Sequence, residues 1–132
     1  MSAIPPTGPY RMTLPNRREN RSAHIVWKDD GVEHAMTLSV GFDFYGRVKE
    51  LFATGDKIRN SRKAEIDDAL VGWSLGLQCG MSIAILANSL GREGIDPTSP
   101  AASVLGLIAL EAAKLEIEEG PAVASYSDRM AG

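Results

Sequence analysis

Cysteine is almost absent from this sequence of 132 residues. Cys79 is its single cysteine and there are two histidines, so no intramolecular disulfide can form and a zinc site has few donors. Proteins without disulfides suit a reducing compartment, and we therefore expect a cytoplasmic protein.

Long apolar runs and strong net charge are also lacking. No run approaches the ~20 apolar residues of a membrane-spanning helix, and the proline-containing start lacks the basic-then-apolar pattern of a secretory signal. The net charge of −3 is too close to neutral for the basic domain typical of nucleic-acid binding. The apolar content of 44% is ordinary, and it predicts one globular domain with a buried core.

Prolines and small residues mark the ends of this domain. Residues 1–15 contain Pro5, Pro6, Pro9 and Pro15, which predict a flexible, extended arm. We predict one domain over 16–118. Residues 119–132, small and polar after Gly120, predict a flexible tail.

Alternating apolar residues predict three strands, over 22–28, 33–41 and 47–54. The turn signal Asp29-Asp30-Gly31 separates the first two. The side that carries Met36, Leu38 and Val40 is expected to face the core. We expect these strands to form an antiparallel meander.

From Ser61 the apolar period changes to three and four residues. Ile66, Leu70, Trp73 and Leu77 share one face of a predicted helix that ends near Cys79 and Gly80. We expect Trp73 to pack against the sheet, where replacement by alanine costs about 3–5 kcal/mol if the side chain is fully buried.

Two further helices are predicted, over 82–90 and from Thr98-Ser99-Pro100 onwards. In the last helix Ser99 would cap the N-terminus and Pro100 would occupy the first position. The fold class that follows is α+β: a three-stranded antiparallel meander followed by three helices packed on one face of the sheet.

Residues with metal-binding or catalytic chemistry do not form a recognisable pattern. His24, His34 and Cys79 match no zinc spacing. Cys79 lies at a helix C-terminus, where the helix dipole disfavours a thiolate. Asp67 and Asp68 are adjacent and point different ways on their helix. We predict no metal site, no catalytic residues and no cofactor, and the sequence identifies no cofactor-binding residue.

Two sets of residues are candidates for binding. The basic residues Arg11, Arg17, Arg18 and Arg21 could contact phosphates or a partner, or could simply be solvated. Gly72 and Gly76 lie four residues apart on the first helix, and their smooth stripe could serve core packing or self-association. From this stripe and the high apolar content we predict a homodimer.

Several segments resemble a known family. Leu14-Pro15-Asn16-Arg17-Arg18 is similar to the opening of the C-terminal accessory domain of vitamin B12-dependent (class II) ribonucleotide reductases, known as the TSCPD domain. Lys49-Glu50-Leu51-Phe52 resembles a Gly-Glu-Ile-Phe-Ile strand of that family. Trp73-Ser74-Leu75-Gly76-Leu77-Gln78-Cys79-Gly80-Met81 resembles its Ser-Ile-Gly-Leu-Gln-Tyr-Gly-Val-Pro segment. Together these segments span roughly residues 14–115.

At one motif this sequence departs from the family's pattern. Thr98-Ser99-Pro100-Ala101 stands at the position of the family's Thr-Ser-Cys-Pro-Asp motif, without its cysteine and aspartate. In the reductases this domain accompanies a large catalytic barrel that carries the radical cysteines and the cobalamin site. One cysteine cannot supply both the thiyl radical and the dithiol, so we expect no ribonucleotide reduction by this chain alone.

The resemblance therefore implies a stand-alone accessory or regulatory binding module linked to deoxyribonucleotide metabolism and DNA synthesis. Its expected partner is a ribonucleotide reductase or another protein of nucleotide metabolism. The residues themselves leave two alternative functions open. The chain could be a small nucleotide- or nucleic-acid-binding protein that uses the basic segment, or a small enzyme whose site forms only at a dimer interface.

Overall fold

A computed structural model of the chain describes residues 19–29, 31–55, 61–96 and 98–131. The elements, in chain order, are β1 (Asn20–Asp29), β2 (Val32–Phe42), β3 (Val48–Gly55), α1 (Ser61–Gln78), α2 (Ile83–Ser89) and α3 (Val104–Ala131). The three strands form one antiparallel sheet in the order β1-β2-β3. The predicted α+β meander with three following helices is confirmed, and the predicted strand bounds differ from these by one or two residues.

The alternation of apolar and polar side chains along each strand decides which face of the sheet is buried. Met36, Leu38 and Val40 are 3%, 0% and 0% exposed, as their period of two predicted. Ile25 of β1 and Leu51 of β3 belong to the same buried cluster. Helices α1 and α3 pack against this face, while α2 packs mainly against α3.

Helix α1 buries the face that its apolar spacing predicts. Ile66, Leu70 and Leu77 are buried in the core cluster. Trp73 packs against that cluster but is only half-buried. The full cost expected for a buried tryptophan therefore does not apply to Trp73→Ala.

The turn between β2 and β3 is held by a buried carboxylate. Asp43 Oδ1 accepts hydrogen bonds from the backbone N–H of Tyr45 at 2.9 Å and of Arg47 at 3.0 Å. Gly46 then adopts a φ of +79°, a backbone conformation that residues with a Cβ rarely adopt. Gly46 also lies directly against the backbone of Gly120, and this contact joins the turn to α3.

The prediction that Ser99 caps the last helix and that Pro100 is its first residue is wrong. Asp96 Oδ1 accepts hydrogen bonds from both the backbone N–H and the hydroxyl of Thr98, each at 2.9 Å, and so forms a turn. Ala101 pairs with Arg92 in an isolated antiparallel bridge, and the chain bends at Ala102 and Ser103 before the helix. Helix α3 begins only at Val104, where Ser103 Oγ accepts from the N–H of Gly106 at 3.0 Å.

The described residues of the predicted flexible tail, 119–131, are helical. Helix α3 continues through Pro121 to Ala131, and Val123 is 1% exposed in the core cluster. Burial of this side chain and the contact of Gly120 with Gly46 stabilise a segment whose glycine and proline alone would end a helix. The domain therefore extends past residue 118.

Replacing Val123 by alanine measures how much this last segment contributes. We expect Val123→Ala to lower the free energy of unfolding by about 2 kcal/mol, because it removes buried methyl groups and leaves a cavity. The matched control is Ile117→Ala in the same helix, where a side chain that is 75% exposed should change stability by about 0.5 kcal/mol or less. Urea denaturation checks both, and equal effects would show that Val123 does not pack in the core.

Among the described residues, no helix combines the length and the apolar character needed to cross a membrane.

Candidate functional site

The outer edge of β3 is partly covered by side chains from the helices. The N–H of Leu51 donates to Ser74 Oγ at 3.0 Å, and the same hydroxyl lies 3.5 Å from the carbonyl of Leu51. The N–H of Val48 donates to Glu116 Oε2 at 2.9 Å. An uncovered edge strand invites pairing with other chains, so these contacts protect the first half of β3.

Lys49 and Gln78 complete this covering. The pairing of β2 with β3 shifts between Gly41 and Phe42, so Lys49 is the extra residue of a bulge. Its ammonium is buried and donates to the carbonyl of Leu77 at 2.9 Å, and Gln78 Nε2 donates to the carbonyl of Lys49 at 3.2 Å. A cation at the C-terminal end of α1 interacts favourably with the helix dipole. These bonds fasten the end of α1 to β3.

A groove opens where this covering stops. It lies between residues 50–54 of β3 and the neighbouring face of α1, and its volume is about 430 Å³. Leu51 and Leu70 line it from the core side. Three apolar side chains at the groove are largely exposed: Phe52 is 54%, Val71 60% and Leu75 43% exposed. A concave, mostly apolar surface with a few polar groups is the usual form of a binding site.

The charged groups at the groove nearly cancel. Lys63 Nζ and Asp67 Oδ2 form an ion pair at 2.8 Å, one turn apart on α1. Glu50, which is 9% exposed, adds a second carboxylate to the lining. One lysine and two acidic residues give the lining a formal charge of −1. Such a lining does not favour a phosphate group and accepts a neutral or weakly basic ligand.

The structure describes only one of the four predicted basic residues. Arg11, Arg17 and Arg18 lie outside the described residues. Arg21 on β1 pairs with Glu19 at 2.8 Å and with Glu119 at 3.6 Å. Its hydrogen bond to the Glu19 carboxylate is the main cause of a raised pKa of Arg21. Phosphate binding at Arg21 would have to compete with both carboxylates.

The two glycines of the predicted interface differ in their surroundings. Gly72 is exposed, and a Cβ added there would meet nothing within 4 Å. A Cβ at Gly76 would lie 3.2 Å from Cε of Met81, so this glycine makes room for a side chain of its own chain. The two glycines therefore do not form one open stripe, and Gly76 serves internal packing.

The histidines and the cysteine are not brought together. In the sheet register His24 pairs with Thr37 and His34 pairs with Trp27, which places the two histidines on opposite faces. Cys79 follows the end of α1. Within the described part of the chain, no three His, Cys, Asp or Glu side chains are close enough to hold one metal ion.

The segment aligned with the family's motif forms a turn. Arg92 Nη1 donates to the carbonyl of Ser99 at 3.0 Å, and the N–H of Glu93 donates to the carbonyl of Pro100 at 2.9 Å. The backbone N–H and the hydroxyl of Thr98 lower the pKa of the Asp96 carboxyl, which is fully exposed. This segment is held by local hydrogen bonds and lies apart from the groove.

Sequence reasoning did not find the groove, although a signal was present. Residues 69–91 contain no Asp, Glu, Lys, Arg or His. Over this stretch Val71 and Leu75 lie outside the apolar face that Leu70 and Leu77 bury, so α1 is apolar on more than one side. A helix that is apolar beyond its core face indicates a second contact surface. Depletion of charge is also typical of the centre of interfaces.

Comparison of the chain with protein-family models, with curated proteins and with solved structures found no match.

Proposed function

We propose that this chain is a stand-alone accessory binding module, similar to the C-terminal domain of class II ribonucleotide reductases. It acts in the cytoplasm by docking to a ribonucleotide reductase or another protein of deoxyribonucleotide metabolism, and it has no catalytic activity of its own. The observation that carries the binding role is the apolar groove between β3 and α1. The resemblance of segments within residues 14–115 supports the choice of partner.

The groove supports docking because its exposed apolar side chains lose contact with water when a partner covers them. Phe52, Val71 and Leu75 are all more than two-fifths exposed and lie at one groove. Burial of apolar area stabilises a complex by about 25 cal/mol per Å² before the costs of association. The groove's charge of −1 and the two carboxylates around Arg21 count against the alternative of phosphate-driven nucleotide binding.

The test uses the purified full chain and the purified reductase of the same organism in isothermal titration calorimetry. We expect saturable binding that Val71→Asp weakens by about tenfold or more, since a charge in an apolar contact costs over 1.4 kcal/mol. Ile85→Asp is the matched control, because Ile85 is equally apolar, 68% exposed and located on α2, outside the groove lining. Docking through the groove would be contradicted if both variants lost binding, or if both bound as tightly as the unchanged chain.

A parallel titration addresses the nucleotide alternative. Nucleotides and single-stranded DNA are titrated at two salt concentrations, since phosphate-driven binding must weaken with salt. Salt-sensitive binding without any binding of the reductase would replace the proposed function by the alternative.

The homodimer stays a prediction. Gly72 leaves room for a second helix to approach α1, whereas Gly76 does not. Light scattering at micromolar concentration tests the homodimer, and a monomer mass across a tenfold dilution range would refute it.

A further inference from the structure

We propose that the groove binds an extended peptide segment of a partner protein, which adds as a strand to the open end of the β3 edge. This inference rests on the proposed binding function and names the form in which the partner is bound. The segment's backbone pairs with Ala53, and one apolar side chain lies among Phe52, Val71 and Leu75.

The backbone of Ala53 points to the groove side of β3. In an antiparallel pair, alternate residues direct both N–H and C=O to the same edge. Leu51 directs both groups outward, as its two contacts with Ser74 show. Ala53 follows two residues later and pairs with Leu38 as Leu51 pairs with Val40, so its N–H and C=O point outward too.

These two groups are available within the described part of the chain. The helix side chains that cover the edge bond to Val48, Lys49 and Leu51, and none of the bonds between described residues engages the outward groups of Ala53. Ala53 is half-buried and lines the groove. A backbone donor and acceptor spaced as in a strand match an extended peptide, which supplies the reciprocal acceptor and donor.

The side chains around Ala53 add a preference for the peptide's residues. Phe52 and Thr54 lie on one side of the strand, and Val71 and Leu75 lie across the groove on α1. An apolar peptide side chain fits this space. The formal charge of −1 from Glu50, Asp67 and Lys63 favours a neutral or basic peptide over an acidic one.

The test starts from a phage-displayed library of random seven-residue peptides, selected on the full chain. The enriched peptides are synthesised and their Kd values measured by fluorescence polarisation. We expect peptides with a central apolar residue whose binding Val71→Asp weakens by about tenfold or more, while Ile85→Asp changes it by less than about twofold. Melting curves must show that both variants fold, as their exposed positions predict.

A backbone scan of the best peptide separates strand addition from apolar contact alone. Methylation of the peptide amide that pairs with Ala53 should weaken binding by about tenfold, because it removes one intermolecular hydrogen bond. Methylation at the neighbouring amides, which point away from β3, should have little effect. A uniform response along the peptide, or none, overturns strand addition.

The remaining outcomes are equally decisive. If no peptide is enriched, or if binding ignores Val71→Asp, the proposal is wrong. It is also wrong if light scattering shows a dimer that Val71→Asp dissociates and Ile85→Asp does not, since a second copy then fills the groove. Peptide binding without reductase binding would refute only the partner, and reductase binding without peptide binding would refute only strand addition.

Discussion

Gly46→Ala is expected to lower the free energy of unfolding by about 2–5 kcal/mol. A left-handed backbone costs a residue with a Cβ about 1–2 kcal/mol, and Gly46 has a φ of +79°. The added Cβ would also collide with the carbonyl group of Gly120, which is backbone and cannot rotate away. Overpacking of this kind adds about 1–3 kcal/mol.

The chain offers a matched control at Gly31, in the turn between β1 and β2. Gly31 has the same φ of +79°, but a Cβ there would meet nothing within 4 Å. We therefore expect Gly31→Ala to cost only the conformational part, about 1–2 kcal/mol. Equilibrium urea denaturation of both variants isolates the contact between the β2–β3 turn and α3. Equal losses would mean that Gly46 and Gly120 do not touch.

Leu77→Ala is expected to lower the free energy of unfolding by about 2–5 kcal/mol, the usual cost of a cavity at a buried leucine. Leu77 is 0% exposed and belongs to the core cluster under the sheet. Its carbonyl still accepts the hydrogen bond from Lys49 in the variant, so the loss reports side-chain packing.

Leu75 is the matched control on the same helix. It is 43% exposed at the groove, and its replacement by alanine should cost about 1 kcal/mol or less. The same denaturation experiment measures both variants. If Leu75→Ala proved as costly as Leu77→Ala, the face of α1 assigned to the groove would instead be part of the core.

Most element positions could be predicted because they depend on local patterns. The period of two in Met36, Leu38 and Val40, and the helical spacing of Ile66, Leu70 and Leu77, each identify a buried face without knowledge of the partner surface. The start of α3 could not be predicted in this way. Thr98-Ser99-Pro100 has the composition of a helix start, but the bond from Thr98 to Asp96 and the bridge between Arg92 and Ala101 compete with it.

The end of α3 shows the opposite error. Gly120 and Pro121 are poor helix formers, and local propensity predicts a stop there. The helix continues because Val123 is buried and Gly120 packs on Gly46, a residue far away in the sequence. Tertiary burial contributes more than local propensity at such positions.

The candidate site depends on such distant contacts almost entirely. Ser74 covers Leu51 across 23 positions, and Glu116 covers Val48 across 68. Where this covering stops, the open part of the β3 edge begins at Ala53, and nothing in the sequence of β3 itself marks that point. In the sequence Arg21 is a candidate phosphate ligand, but in the folded chain the carboxylates of Glu19 and Glu119 lie beside it.

The sequence by itself determined the α+β class, the order of strands and helices, and the faces that enter the core. It could do so because side chains alternate along a strand and recur every 3.6 residues along a helix. Only the tertiary structure decided which part of the β3 edge is covered, where the groove opens, and how far α3 extends. Those features arise from packing between residues that are distant in the chain, and hydrophobic periodicity carries no information about which distant residues meet.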